Sequence, residues 1–303
     1  MLEHHHPEPR LPQRVVVIGA GGFVGGAIVK ELRRQVVPVQ PLTRKELDLT
    51  KPDAAATLKA LLDPADSVVM VSAVAPAKTV EQLMLNLRMA EPVCAALAQQ
   101  PIAHLVYISS DAVYADDANP VTEHSHCAPS TLHGMMHAAR ELMLRSSTQA
   151  PVAVLRPTLI YGAADPHSGY GPNRFRREAA SGGPIKIFGE GEERRDHVMV
   201  DDVARLAVLI LRHRSGGALN AATGVSTSFH DIAHETARMF GAGMHVESLK
   251  RQGPPPHLMH RHFDIAACLR AFPNFRFMPL AAGLKQACAG NQSSASALGL
   301  KSS

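Results

Sequence analysis

Three groups of residues in this chain have types and spacings that can do chemistry. The first is Gly19-Ala20-Gly21-Gly22-Phe23-Val24-Gly25. It follows a short β-branched run, Arg14 to Ile18, and precedes a helical pattern. Glycine permits a tight turn and lets backbone approach a phosphate, while a helix N-terminus offers free N–H groups and a favourable dipole. Gly19, Gly22, Phe23, Val24 and Gly25 are therefore expected to cradle a phosphate, with Gly25 allowing close helix–strand packing. The second group is His133 and His137. Residues four apart share one helix face, and imidazoles near neutral pH can move protons or bind metal. The third is Ser110-Asp111, a hydroxyl beside a carboxylate at the end of an apolar run.

The elements that must position these groups alternate in type. Arg14 to Ile18 is a continuous apolar run, as in a strand buried on both faces. Ala27 to Leu32 reads as a helix, Val36 to Val39 as a second strand and Ala54 to Leu62 as a helix. Ser67 to Ser72 is another buried strand. Val80 to Gln99 is a long helix in which Pro92 predicts a kink or a break. His104 to Ser109 is a strand, His133 to Arg145 a helix and Val152 to Leu155 a strand. This rhythm predicts an α/β fold, a doubly wound parallel sheet with right-handed crossovers. After Tyr161 the rhythm changes, and Gly, Pro and Arg become frequent from Asp165 to Glu193. Further helices are expected at Asn173–Ala180, Val203–Leu211 and Phe229–Phe240, with a strand at Ile185–Phe188. The expected organisation is a dinucleotide-binding domain over residues 11–165 and a smaller substrate-binding part over 166–288. A strand and helix of the latter should return to the first sheet. Residues 1–10 and 289–303 are expected to be flexible tails.

Composition narrows the classes. The chain has 303 residues, 46% hydrophobic and 19% charged, an ordinary globular balance. A net charge of +4 suits anionic partners. Without long Lys/Arg blocks it argues against nucleic acid and for phosphorylated small molecules. There is no apolar run of about eighteen residues, so no membrane span is expected. The four cysteines form no CxxC pair, and reduced thiols in a cytoplasmic protein are expected.

An adenosine ribose bound at such a turn lies near the end of the second strand, where an acid favours NAD. Here the stretch Gln40-Pro41-Leu42-Thr43-Arg44-Lys45 has no acid before Glu46. Arg44 or Lys45 could pair with a 2′-phosphate, which favours NADP over NAD, although the same charges would suit a solvated loop. Asp48 is placed at the adenine edge.

Several segments, in order, resemble the extended short-chain dehydrogenase/reductase family, in its group of nucleotide-sugar epimerases, dehydratases and reductases. The resemblance runs from about Arg14 to Leu284. Its segments are the glycine turn, Val106-Tyr107-Ile108-Ser109-Ser110-Asp111-Ala112-Val113-Tyr114, and Leu155-Arg156-Pro157-Thr158-Leu159-Ile160-Tyr161-Gly162. Gly171-Pro172-Asn173-Arg174-Phe175, Gly189-Glu190-Gly191, Arg195-Asp196-His197-Val198 and Val200-Asp201-Asp202-Val203-Ala204 complete it. The resemblance implies a Rossmann sheet, NADP or NAD as cofactor and a nucleoside-diphosphate sugar as substrate. It also implies hydride transfer through a keto intermediate, and a homodimer through the helices Val80–Gln99 and His133–Arg145. It places Ser72 and Ala73 at the cofactor, Ser110 and Asp111 at the reacting centre, and Asn173, Arg195 and Arg261 at the substrate. Asn86 would support the site. Asn173 would equally cap the helix after it, Arg195 would equally pair with Asp196 or Asp201, and Asn86 would equally suit a solvated helix face.

One departure is plain. The family's Tyr-x-x-x-Lys pair, whose lysine holds the nicotinamide ribose and lowers the tyrosine pKa, is absent. His133 stands at the tyrosine place and His137 at the lysine place. Three readings remain open: catalysis by the two imidazoles with Ser110, nucleotide binding without turnover, or a metal held by the pair with His124, His126 and Cys127. Tyr114 and Tyr161 are read as packing near the pocket rather than as acid/base groups, although either could replace the missing tyrosine.

Overall fold

The apolar runs of the first half of the chain form one parallel sheet, because strands covered by helices on both faces bury every side chain. The computed structural model describes residues 1–251, 253 and 258–298. In chain order β1 (Arg14–Ile18), α1 (Phe23–Arg34), β2 (Val39–Leu42), α2 (Ala54–Leu61) and β3 (Asp66–Met70) come first. Then follow α3 (Val80–Gln99), β4 (His104–Ile108), α4 (Leu132–Arg145), β5 (Val152–Pro157) and β6 (Leu159–Tyr161). Next are α5 (Pro172–Ala180), β7 (Ile185–Phe188), β8 (Arg194–Met199), α6 (Val200–Arg212) and β9 (Gly217–Ala221). The last are β10 (Ser226–Ser228), α7 (Phe229–Phe240), β11 (Val246–Leu249), α8 (Ala266–Ala271) and α9 (Leu280–Leu298).

The chain divides into two units. The first comprises residues 1–158, 201–221 and 264–275. Its sheet has the order β2-β1-β3-β4-β5-β9, all parallel. Winding reverses between β1 and β3, and in open α/β sheets ligands bind beyond the carboxyl ends at such a switch point. Ile18 registers with Met70, so the glycine turn leaves the sheet beside the end of β3. Val16, Ile18, Val68, Met70, Leu105 and Tyr107 lie in its core.

The second unit comprises residues 159–200, 222–263 and 276–303. It holds a three-stranded sheet, β10-β8-β6, and a parallel pair, β11-β7. Phe175, Ile185, Phe229, Ile232 and Leu284 form its core. α6 and β9 carry the chain back into the first unit, where β9 pairs with β5.

Four local expectations are corrected. The second strand starts at Val39, because Val36 adopts φ 57° in the turn after α1. α3 runs through Pro92, so of the expected kink or break the break does not occur. Its N-terminus is held by a capping box of Thr79 and Gln82, and packing offsets the one missing N–H. Residues 1–10 lie along the first unit: Glu3 bridges Gly216, and the His4 ring bonds the Ser215 hydroxyl at 2.8 Å. Unpaired groups at a sheet edge recruit such a segment. The stretch from 289 is helical as far as Leu298, in keeping with its small residues, while 299–303 lies outside the described residues.

Candidate functional site

The glycine turn is built by close approach. Gly19 has φ +96°, and a Cβ there would stand 2.7 Å from the Ser72 backbone nitrogen. A Cβ on Gly25 would stand 2.2 Å from the Gly19 carbonyl oxygen. Side chains at either place would prise α1 from β1 or the turn from β3. Gly21 and Gly22 are exposed, and Gly22 caps α1 with no side-chain bond. No acid occupies the first turn of α1, so its N–H groups at Phe23 and Val24 face an anion without competition. The cradle fits a dinucleotide pyrophosphate.

The segment after β3 forms the neighbouring wall. Asn86, fully buried on α3, accepts from the Val74 N–H at 2.9 Å and donates to the Val74 carbonyl at 2.9 Å. It is a clamp on the loop carrying Ser72 and Ala73, not a solvated residue. The Ser72 carbonyl accepts a 2.7 Å bond from Arg140 of α4.

α4 packs hard against the turn after β4. A Cβ on Gly134 would lie 2.0 Å from the Ala112 carbonyl oxygen, so only glycine lets the helix start there. Thr131 caps α4, accepting from the Gly134 N–H at 3.1 Å. Ser110 accepts from the Ala112 N–H at 3.2 Å and donates to Asp111 at 3.4 Å. This packing sets the first turn of α4, with His133, against the turn that carries Asp111.

His133 and His137 do share a face, with ring centroids 4.7 Å apart and edge to face. His133 is half-buried, and its Nδ1 receives the Ala77 N–H at 3.5 Å. Burial lowers its basicity below the usual imidazole value. His137 is buried and lies well below that value, through burial first and then the His133 and Arg140 charges. Its Nδ1 stands 2.7 Å from the Tyr107 hydroxyl. Burial pushes the Tyr107 phenol up to about 12.

The next helical turn is an anchor. Glu141 accepts from Ser109 at 2.6 Å and from Arg156 at 2.6 and 3.0 Å. Arg156 donates to the Tyr114 hydroxyl at 2.9 Å, which in turn donates to Asn220 at 2.7 Å. Tyr114 is thus enclosed in a buried network, and burial pushes its phenol to about 12. Tyr161 is buried in the second unit. The Tyr114 hydroxyl is committed to Arg156 and Asn220.

Beyond β2, Arg44 is largely exposed and pairs with Asp48 at 3.3 Å. Asp48 also accepts the Thr50 hydroxyl at 2.6 Å, a bond that chiefly holds its carboxyl down to about 2. Glu46 accepts the Thr43 N–H at 2.9 Å, and Arg44 and Lys45 are both exposed cations after the strand.

In the second unit the side chains serve the backbone. Asn173 does not cap α5; Gly171 does. Its amide accepts from the Gly162 N–H at 3.1 Å and donates to the Ile160 carbonyl at 3.2 Å. These two bonds fix the turn after β6. Arg195 donates to the Arg194 and Met259 carbonyls at 2.9 and 3.1 Å. Arg261 is buried, with its guanidinium over the Phe263 ring at 5.9 Å. All three lie in the second unit.

Among the described residues no group of three or more His, Cys, Asp or Glu side chains gathers as a metal would need. His124, His126 and Cys127 do not join His133 and His137, and the metal reading is set aside. Tyr107, Arg140 and the backbone of Ala77 belong to the site but were not singled out by sequence. The one signal was Arg140, a charge in register with the inner face of α4.

Residues 15–222 match the family described as NAD dependent epimerase/dehydratase. The chain is 28% identical over 264 residues to an ADP-L-glycero-D-manno-heptose-6-epimerase of Alkalilimnicola ehrlichii, covering 76% of this chain and 82% of that protein. A UDP-glucose 4-epimerase of Thermotoga maritima, solved with UDP-glucose, superposes with TM-score 0.81 at 19% identity, over 93% and 99% of the two chains. A GDP-L-fucose synthetase of Naegleria fowleri bound to NADP gives TM-score 0.80 at 16% identity, over 96% of each chain. At these identities the two structures bear on the fold.

Proposed function

The chain belongs to the NAD-dependent epimerase/dehydratase family, and on that premise we propose that it transfers a hydride between a nicotinamide dinucleotide and a nucleoside-diphosphate sugar. The product arises by epimerisation, dehydration or carbonyl reduction through a keto intermediate. The observation that carries this reading is the α4 face: its framework of Gly134, Thr131 and Glu141 is intact, and it presents His133 where the family has tyrosine. The relatives named above act on sugars joined to ADP, UDP or GDP, which supports that substrate class.

The bound nicotinamide supplies the hydride acceptor or donor. The glycine turn and the N-terminus of α1 hold its pyrophosphate, and Arg44 favours a 2′-phosphate, hence NADP. The Ala77 N–H at Nδ1 of His133 favours the tautomer protonated on Nε2. In that form the ring donates a hydrogen bond that polarises a keto oxygen, with Ser110 as a second donor and Asp111 beside it. Burial keeps the ring neutral at pH 7, so the proton gained or lost by the sugar oxygen is exchanged with solvent. Asn173, Arg195 and Arg261 remain the substrate residues to test, the first through the turn it fixes.

We place the enzyme in the cytoplasm, where its four free cysteines stay reduced. No helix among the described residues is long and apolar enough to cross a membrane. A homodimer through α3 and α4 is supported by exposed Val80, Met84, Met135 and Leu142; a light-scattering mass of one chain would refute it. The function is tested by mass spectrometry after mixing the protein with UDP-, dTDP-, GDP- and CDP-sugars and NAD⁺, NADP⁺ or NADPH. Loss of water, gain of two hydrogens, or a retention shift at constant mass identifies the reaction. Dinucleotide binding with no product from any sugar would establish the non-catalytic reading instead.

A further inference from the structure

Arg140 is a cation in an unusual place. It is fully buried on α4, three residues after His137. Among the described residues it forms no ion pair with a carboxylate. Its guanidinium instead donates to the Ser72 carbonyl at 2.7 Å, meets the Met136 sulfur at 3.8 Å and lies 5.4 Å from the Tyr107 ring centroid. A buried charge without a counter-charge is costly. Here the tyrosine face and the carbonyl offset part of that cost. The remaining field reaches the phosphate cradle, because Ser72 is the residue against which Gly19 is pressed.

Tyr107 is equally enclosed. Its hydroxyl and Nδ1 of His137 are 2.7 Å apart. The phenol has no second acceptor among the described residues. If the imidazole donated, the phenol hydrogen would be buried without a partner, which costs more than the bond gains. So the phenol donates, Nδ1 accepts, and the neutral ring carries its proton on Nε2. The positive charge of Arg140 and the burial of the ring both oppose a second proton.

We propose that Tyr107 and Arg140 are positioning residues that divide a lysine's work: Tyr107 fixes His137 as an Nε2–H donor, and Arg140 supplies the permanent positive charge. This rests on the reading that the α4 face serves a bound dinucleotide. His137 offers a cofactor hydroxyl a hydrogen bond whose direction is set in advance. Arg140 attracts the anionic cofactor without itself touching it.

The test has two arms on the full chain. In the first, long-range ¹⁵N–¹H spectra of labelled histidine at neutral pH report the His137 tautomer. The expected result is a single Nε2–H form, lost to a tautomer mixture in Tyr107→Phe. An Nδ1–H or doubly protonated ring in the unaltered protein, or no change in Tyr107→Phe, overturns the Tyr107 role. In the second, calorimetry measures NADPH affinity. Arg140→Met should bind about tenfold more weakly, the worth of one charge interaction, and Arg140→Lys should stay close to the unaltered protein. A folded Arg140→Met that binds as tightly overturns the charge role. Should Arg140→Met not fold, a folded Arg140→Lys with tenfold weaker binding does the same. If the unaltered protein binds no dinucleotide, the functional reading fails and takes the charge role with it, while the spectra still decide Tyr107.

Discussion

The glycine turn and the α4 face lie in the same unit and are specified in opposite ways. The turn is specified by the absence of side chains. Cβ atoms at Gly19 and Gly25 would meet backbone at 2.7 and 2.2 Å, so the site is made of main-chain N–H groups. The α4 face is specified by packing around the reactive groups, through Gly134 against Ala112 and Glu141 against Arg156. The groups it presents, His133 and His137, are not those the family pattern expects. A site made of backbone cannot change without losing its shape. Side chains on a fixed helix can be exchanged without changing the backbone, and here the exchanged His137 meets the Tyr107 hydroxyl.

That contrast can be broken most directly at His133. If its ring does the chemistry, His133→Phe lowers kcat about 100- to 10,000-fold while dinucleotide affinity is kept. Steady-state kinetics showing turnover intact would leave the α4 face a binding surface only. The framework comes next. Glu141→Ala leaves Arg156 buried without its carboxylate and should cost about 3–5 kcal/mol in urea unfolding. A loss below about 1 kcal/mol, the level of an exposed pair, would place the anchor elsewhere.

A third test uses pH, since the glycine turn has no titrating group and the neighbourhood of α4 has several. His104 on β4 is buried and depressed to about 4 from 6.5, by burial first. His133 and His137 are depressed as well. The unfolded chain therefore binds more protons than the folded one between these values. Stability is full above pH 6.5, falls as the pH drops through that window and levels off below the folded pKa. His104 alone should cost about 3 kcal/mol across it. Unfolding midpoints that stay flat from pH 7 to 4 would contradict this. In the turn, Gly25→Ala forces its Cβ onto a backbone carbonyl and should cost about 1–3 kcal/mol, with cofactor binding lost in calorimetry. Retained binding would show a more yielding turn than the packing implies. The smallest effect is at the edge: Arg44→Ala should reduce the preference for NADP over NAD about tenfold. An unchanged ratio would make Arg44 a solvated loop charge.

Much of the scaffold was legible because its signals are local. The run Arg14–Ile18, the glycines and the helix after them follow one another, and each implies the next. The i, i+4 spacing placed His133 and His137 on one face, and the structure has them in ring contact. Reading failed where a neighbour distant in sequence decides. Asn173 looked like a possible cap, and instead its amide holds Ile160 and Gly162 while Gly171 caps the helix. The packing read for Tyr114 is seen, but its partners Arg156 and Asn220 could not be named from the sequence. Residues 1–10 looked loose and are held by a sheet edge formed from residues near 216.

The sequence by itself determined which backbone could turn tightly, which residues share a helix face, and that the lysine and tyrosine of the resembling family are missing. These follow from residue type and short periodicity. Only the tertiary structure decided what surrounds the two histidines in their place. The strand order puts β3 between β1 and β4, so Ser72 meets both Gly19 and Arg140. The packing of α4 on β4 brings the Tyr107 hydroxyl to His137 from 30 positions away. Burial then fixes the proton, because an enclosed phenol must donate to the one acceptor it has, and no local pattern in the chain records that enclosure.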